Sequence, residues 1–190
     1  MNTEVEEFPY NNKNILIEEE EVNKILRDYG VSFKCYNVDI YRKAFVHKSY
    51  ITRKNENFVT GNKNCPEDCL PLQEQSYERF EYLGDSVLST TVANYLYQRY
   101  PDQNEGFLTK MRSKLVNGHM LGDLCRKVGL SKWVIISKQI EENNGRDNYK
   151  ILEDVFEAFI CAIFLDFNKK KMNLKNHKSG IGFQIAEQWI

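Results

Sequence analysis

Residues 78–88, ERFEYLGDSVL, set Glu78, Glu81 and Asp85 three and then four residues apart. At about 100° per residue, these three acids share one narrow arc of a helix. The arc continues as Leu88, Val92 and Leu96, and the opposite arc carries Phe80, Leu83, Val87 and Thr91. A solvated face would stay polar along its length. A helix that is apolar nearly all round is buried, so these acids stand inside a core or at its edge. The pattern predicts one long helix from Tyr77 to about Tyr100, stopped by Pro101.

Residues 151–167, ILEDVFEAFICAIFLDF, repeat the arrangement. Asp154 and Glu157 are three apart, and their arc continues as Cys161, Phe164 and Leu165. Gly84 on the first helix, and Ala158 and Ala162 on the second, are small enough to let two helix backbones approach closely. Four carboxylates facing each other across such a pair cannot all stay ionised without compensation, because unpaired buried charge is costly and like charges raise each other's pKa. A divalent cation resolves the conflict. Oxygen donors without histidine favour Mg²⁺, or Mn²⁺ as a substitute, over zinc. Acids at this spacing also occur on ordinary solvated faces, and Arg79 offers one of them an ion pair. Two such pairs on two apolar helices weigh against that reading.

The rest of the chain is helical in pattern, and the expected fold class is all-α. IEEEEVNKILRDYG (17–30) has its apolar residues at Ile17, Val22, Ile25 and Leu26, with Gly30 as its stop. VDIYRKAFVHKSY (38–50) places Ile40, Ala44 and Phe45 at helical spacing. Residues 51–76 are polar and broken by Gly61, Pro66 and Pro71, so they are expected to form a long loop. After the turn at 102–107, two shorter helices break near Asn117-Gly118. WVIISKQIEENNGRDNYK (133–150) reads as a short β-prone start followed by a polar loop. The basic segment 168–180 connects to a closing amphipathic helix, IGFQIAEQWI (181–190).

Bulk properties bound the function. The 190 residues are 42% hydrophobic and 13% aromatic, which fits a globular chain with a proper core. No apolar run reaches the roughly 18 residues needed to cross a membrane, and the acidic N-terminus resembles no targeting segment. A soluble intracellular protein, cytoplasmic or nuclear, is the expectation. The five cysteines form no even framework, which points to reduced thiols; Cys65 and Cys69 lack a second pair to complete a zinc site. Residues 1–30 hold eight acids and three bases, which leaves 23 bases against 19 acids in 31–190. A mildly basic body is compatible with a polyanion partner without demanding one.

With both acid pairs identified, the chain resembles the ribonuclease III family. YERFEYLGDSVL (77–88) is similar to the signature usually written NERLEFLGDSVL, and LEDVFEAFICAIFLD (152–166) to LADVFEALIGAIYLD. The connecting stretch PDQNEGFLTKMRSKLVNGHML, the upstream IYRKAFVHKSY and the closing GFQIAEQWI also match in order, so the likeness covers roughly residues 20–190. The resemblance implies a helical endonuclease domain over 17–190, with 51–76 as an inserted loop and 1–16 as an acidic N-terminal extension. It implies that Glu81, Asp85, Asp154 and Glu157 form the catalytic, metal-binding cluster, with Glu78 and Glu105 in support. Tyr82 stands where a partner-subunit contact is expected, in a homodimer whose paired sites cut duplex RNA. The implied products carry 5′-phosphate and 3′-hydroxyl ends with short 3′ overhangs.

Lys110, Arg112 and Lys114 serve either a solvated face or RNA phosphates. His47 and Ser49 read as a packing and capping pair, and His119 and His177 lack acidic neighbours that would suggest ligands. The chain departs from the common pattern in its long loop, its acidic extension and its stop at Ile190, where many relatives continue into a double-stranded-RNA-binding domain. Two rival functions stand beside endonuclease: a non-cleaving RNA-binding or structural member of the same fold, and an all-α, Mg-dependent nucleotide pyrophosphatase.

Overall fold

The computed structural model describes residues 9–52, 65–168 and 180–190. In them the chain forms α1 (Glu19–Asp28), α2 (Val38–Lys43), α3 (Glu78–Arg99), α4 (Glu105–Leu115), α5 (Gly118–Val128), α6 (Lys138–Glu142), α7 (Tyr149–Asn168) and α8 (Gly182–Trp189). The only β pairing among the described residues is two isolated bridges, Val46 with Ile135 and Ile51 with Gln73. The fold is all-α.

Helix α7 is the hub, with α3, α5, α8 and α2 packed around it. From Val155 to Ile163 every residue of α7 is buried, as its unbroken apolar pattern demands. The helix boundaries follow local chemistry. Asn104 and Asn117 accept from the backbone N–H groups of Phe107 and Met120, each at 3.0 Å, and so cap α4 and α5. Asn148 serves α7 in the same way, accepting from Lys150 at 2.9 Å and Ile151 at 3.3 Å. Gly129, at φ +81°, closes α5 in a left-handed conformation that favours glycine.

The small residues decide how α3 meets α7. A Cβ added at Gly84 would overlap the main-chain carbonyl oxygen of Glu157 and lie 2.5 Å from its carbon. The two backbones therefore touch at Gly84, and Ala158 and Ala162 are fully buried beside that crossing. One turn before Gly84 stands Glu81, so the contact that locks the helices also sets the spacing of the acids.

Three regions differ from the sequence reading. The 38–50 segment is not one helix: α2 ends at Lys43, Val46 enters the bridge to Ile135, and Lys48–Tyr50 form a 3₁₀ turn. The polar stretch after Ile136 contains α6 and a second 3₁₀ turn, Gly145–Asp147, because Ser137 caps the first and Asn144 takes positive φ before the second. The segment expected as an extension before residue 17 is docked onto the domain from residue 9 onward. Asn11 and Asn14, both buried, donate to the Ile136 carbonyl at 3.2 and 2.9 Å, and Asn14 accepts the Ile136 N–H at 3.1 Å. Tyr10 joins Val46, Tyr50, Leu72 and Ile135 in a small second core, against which Cys65 and Cys69 pack. Of the expected loop, residues 53–64 lie outside the described residues, as do 1–8 of the expected extension and 169–179 of the connector, His177 included.

Candidate metal centre

Glu81 on α3, with Asp154 and Glu157 on α7, bring one carboxylate oxygen each to within 4.8 Å of one another. Asp154 and Glu157 are only 9% and 7% exposed, and Glu81 is half-buried. Three oxygen donors from two locked helices suit a hard divalent cation, and the soft ligands that select zinc or copper are absent from the group. The cluster bears the electrostatic mark of such a site. Burial, reinforced by the charges of Asp85, Glu153 and Glu81, pushes the Glu157 carboxyl up to about 8. Burial and Asp154 also raise Glu81.

Two residues not singled out in the sequence help to hold these acids. Tyr77, buried just before α3, donates its hydroxyl to Asp154 Oδ2 at 3.2 Å. Lys150, one turn before Asp154, sets its ammonium 2.8 Å from Asp154 Oδ1, 3.3 Å from Glu153 Oε2 and 3.9 Å from Glu81 Oε1. The Asp154 contact raises the Lys150 pKa, keeping it charged. Lys150 at i and Asp154 at i+4 is a spacing visible in the sequence, and it was the available signal.

Of the other expected residues, Asp85 and Glu78 reach this centre through their charges. Asp85 is exposed and stands outside the group of three; its Oδ1 accepts from the Ser89 hydroxyl at 3.3 Å. Its charge nevertheless reaches Glu157. Glu78 is exposed, pairs with Lys48 at 3.6 Å and accepts from the Ser76 hydroxyl at 2.9 Å. Glu105 begins α4, exposed, and accepts from the Thr109 hydroxyl at 2.8 Å. Lys110, Arg112 and Lys114 are exposed on the same helix. His47 accepts the Ser49 N–H at 3.1 Å and packs on the Tyr77 ring, while His119 packs on Tyr149.

A family model described as the ribonuclease III domain matches residues 78–168, the span from the first acid of α3 to the last residue of α7. Residues 78–168 are a ribonuclease III domain. It is 32% identical over 161 residues to a protein named probable ribonuclease 3 from Acanthamoeba polyphaga mimivirus, covering 83% of this chain and 29% of that protein. It is 38% identical over 136 residues to ribonuclease 3 of Staphylococcus aureus, covering 72% of this chain and 50% of that one. The chain thus spans half or less of the length of these two curated relatives. The nuclease domain of ribonuclease III from Campylobacter jejuni, described as flexible in a region involved in dimer formation, superimposes with a TM-score of 0.65 at 26% identity. That match covers 90% of this chain and 92% of the other. No helix among the described residues is long and apolar enough to cross a membrane.

The raised Glu157 carboxyl makes the metal-free domain sensitive to pH. A carboxyl whose folded pKa lies above its ordinary 4.5 binds more protons folded than unfolded. Its stabilising contribution is therefore complete below about 4.5 and is lost as pH rises through about 8. Thermal melts in a chelator should show Tm falling by roughly 5 °C or more between pH 5 and 8.5 as this group ionises. Saturating Mg²⁺ should remove most of that slope, because the ion compensates the charge. A Tm that rises with pH in chelator would contradict the assignment of a buried, proton-holding Glu157.

Proposed function

We propose that the chain is a metal-dependent endoribonuclease that hydrolyses double-stranded RNA to products with 5′-phosphate and 3′-hydroxyl ends and short 3′ overhangs. The observation that carries this reading is the trio Glu81, Asp154 and Glu157, held together by the Gly84 crossing inside a ribonuclease III domain. Glu81, Asp85, Asp154 and Glu157 would hold Mg²⁺, with Mn²⁺ as a substitute. When bound, the ion supplies Lewis acidity at the phosphate and a water nucleophile near neutral pH. The protein's part is to hold the acids. Tyr77 fixes Asp154 through its hydroxyl. Glu157 would give up its proton to hold the ion, which would couple binding below about pH 8 to proton release. Asp85, exposed beside Glu157, would turn toward the cation, Glu78 adds negative potential at Glu81, and Glu105 would support the site from the start of α4. Exposed Lys110, Arg112 and Lys114 are suited to duplex phosphates, where A-form RNA is read by shape and 2′-hydroxyls.

The proposed partner in solution is a second copy of the chain. Tyr82 is 79% exposed and Tyr97, also exposed, lies on the same face of α3, with Ser86, Thr90 and Ala93 between them. Two aromatic knobs flanking small residues suit a self-complementary helix face. Light scattering at micromolar concentration should report a dimer, and Tyr82→Glu should shift it to monomer. A wild-type monomer would remove the dimer from this proposal.

The deciding experiment incubates the chain with labelled long RNA duplex, with and without Mg²⁺, beside single-stranded RNA. Discrete short duplex products that require the metal support the proposal. Duplex binding without cleavage would favour the non-cleaving reading, and hydrolysis of nucleoside triphosphates with duplex left intact would favour a pyrophosphatase.

A further inference from the structure

Lys150 holds a position that a metal centre does not easily share. Its ammonium lies 2.8 Å from Asp154 and 3.9 Å from Glu81, two of the three carboxylates that would receive a divalent cation. No other lysine or arginine among the described residues pairs with the cluster. An ammonium and a divalent ion on the same carboxylates repel each other, so one must give way. The lysine has somewhere to go. Glu153 and Asp154 are at i+3 and i+4 from it, both within reach of one flexible stem. The side chain is 66% exposed, so little packing opposes the swing.

Glu153 is suited to receive it. Its carboxylate does not belong to the group of three. It lies instead against the start of α5, where a Cβ on Gly118 would stand 2.8 Å from Oε2, and a helix N-terminus favours negative charge. This chain places that carboxylate beside the lysine, 3.3 Å from its ammonium. We propose that Lys150 is the resident counter-cation of the metal-free centre, and that Glu153 is a positioning residue that draws its ammonium aside when a divalent cation enters. The proposal rests on the metal reading of the cluster given above.

The test measures Mn²⁺ and Mg²⁺ binding to the whole chain by titration calorimetry, with no RNA present, for wild type, Lys150→Met, Glu153→Gln and the double variant. Thermal melts establish first that each is folded. Removing the competing ammonium should tighten metal binding about three- to tenfold in Lys150→Met. Glu153→Gln should weaken it by about the same factor when Lys150 is present, and change it less than about twofold when Lys150 is absent. Equal weakening by Glu153→Gln in both backgrounds would make Glu153 a ligand or a simple source of negative potential, and would overturn the proposal. Unchanged or weaker binding by Lys150→Met would overturn it as well. A wild-type chain that binds neither cation at millimolar concentration would overturn the metal reading itself, and this proposal with it.

Discussion

Replacing Glu157 with glutamine is expected to abolish duplex cleavage while leaving the fold intact. The substitution keeps the shape of a nearly buried side chain and removes the one charge that must appear when a cation binds. Loss of on the order of 10³-fold or more in cleavage rate is the scale for removing charge stabilisation from a metal-assisted phosphoryl reaction. The amide also mimics the protonated carboxyl that the metal-free domain holds at neutral pH. The Glu157→Gln variant should therefore melt at or above the wild-type temperature in chelator, and should lack the gain in stability from Mg²⁺ that is expected of wild type. Duplex binding, measured by gel shift in Ca²⁺ or chelator, should persist. Turnover equal to wild type would take Glu157 out of the site.

Gly84→Ala is expected to be strongly destabilising despite adding a single methyl group. The added methyl group would overlap the Glu157 carbonyl and lie 3.3 Å from the Cys161 nitrogen, so it meets main chain rather than a side chain able to turn away. Relief requires α3 and α7 to separate, and α7 is packed on its other sides by α5, α8 and α2. Overpacking of this kind costs about 3 kcal/mol or more, and in a domain of this size that is a fall of roughly 6–12 °C in Tm. Because Glu81 and Glu157 face each other across the same crossing, any folded fraction should also bind Mn²⁺ more weakly. A melting temperature within a degree of wild type would show that the helices do not approach as closely as described.

Much of the centre was legible before any tertiary information. Acids on the arcs of two apolar helices, and a glycine and two alanines at the right places to let them meet, are local periodic signals. The structure brings Glu81, Asp154 and Glu157 together as those arcs imply. Asp85 shows where periodicity stops short, because a shared arc does not give equal burial. It lies on the same arc as Glu81, yet it is exposed where Glu81 is half-buried. Tyr77 and Lys150 escaped notice for a related reason. The first looks like one more apolar residue at a helix start, and the second like one more solvated lysine; each gains meaning only from Asp154, 77 residues away from Tyr77 in the chain.

The N-terminal strap was hidden more deeply. Asn11 and Asn14 have the composition of a polar tail, and no periodicity distinguishes an asparagine in water from one donating to the Ile136 carbonyl more than 120 residues further along. The same holds for the 38–50 segment, where helical spacing continued past Lys43 but the bridge from Val46 to Ile135 took the backbone instead. The sequence by itself determined the all-α class, the two acid-bearing helices and the residues able to bring them into contact, because these follow from side-chain period, caps and size along a single element. Only the tertiary structure decided which acids are buried, which tyrosine answers them and where the chain's first residues dock, because burial and these pairings belong to elements that meet from distant parts of the chain.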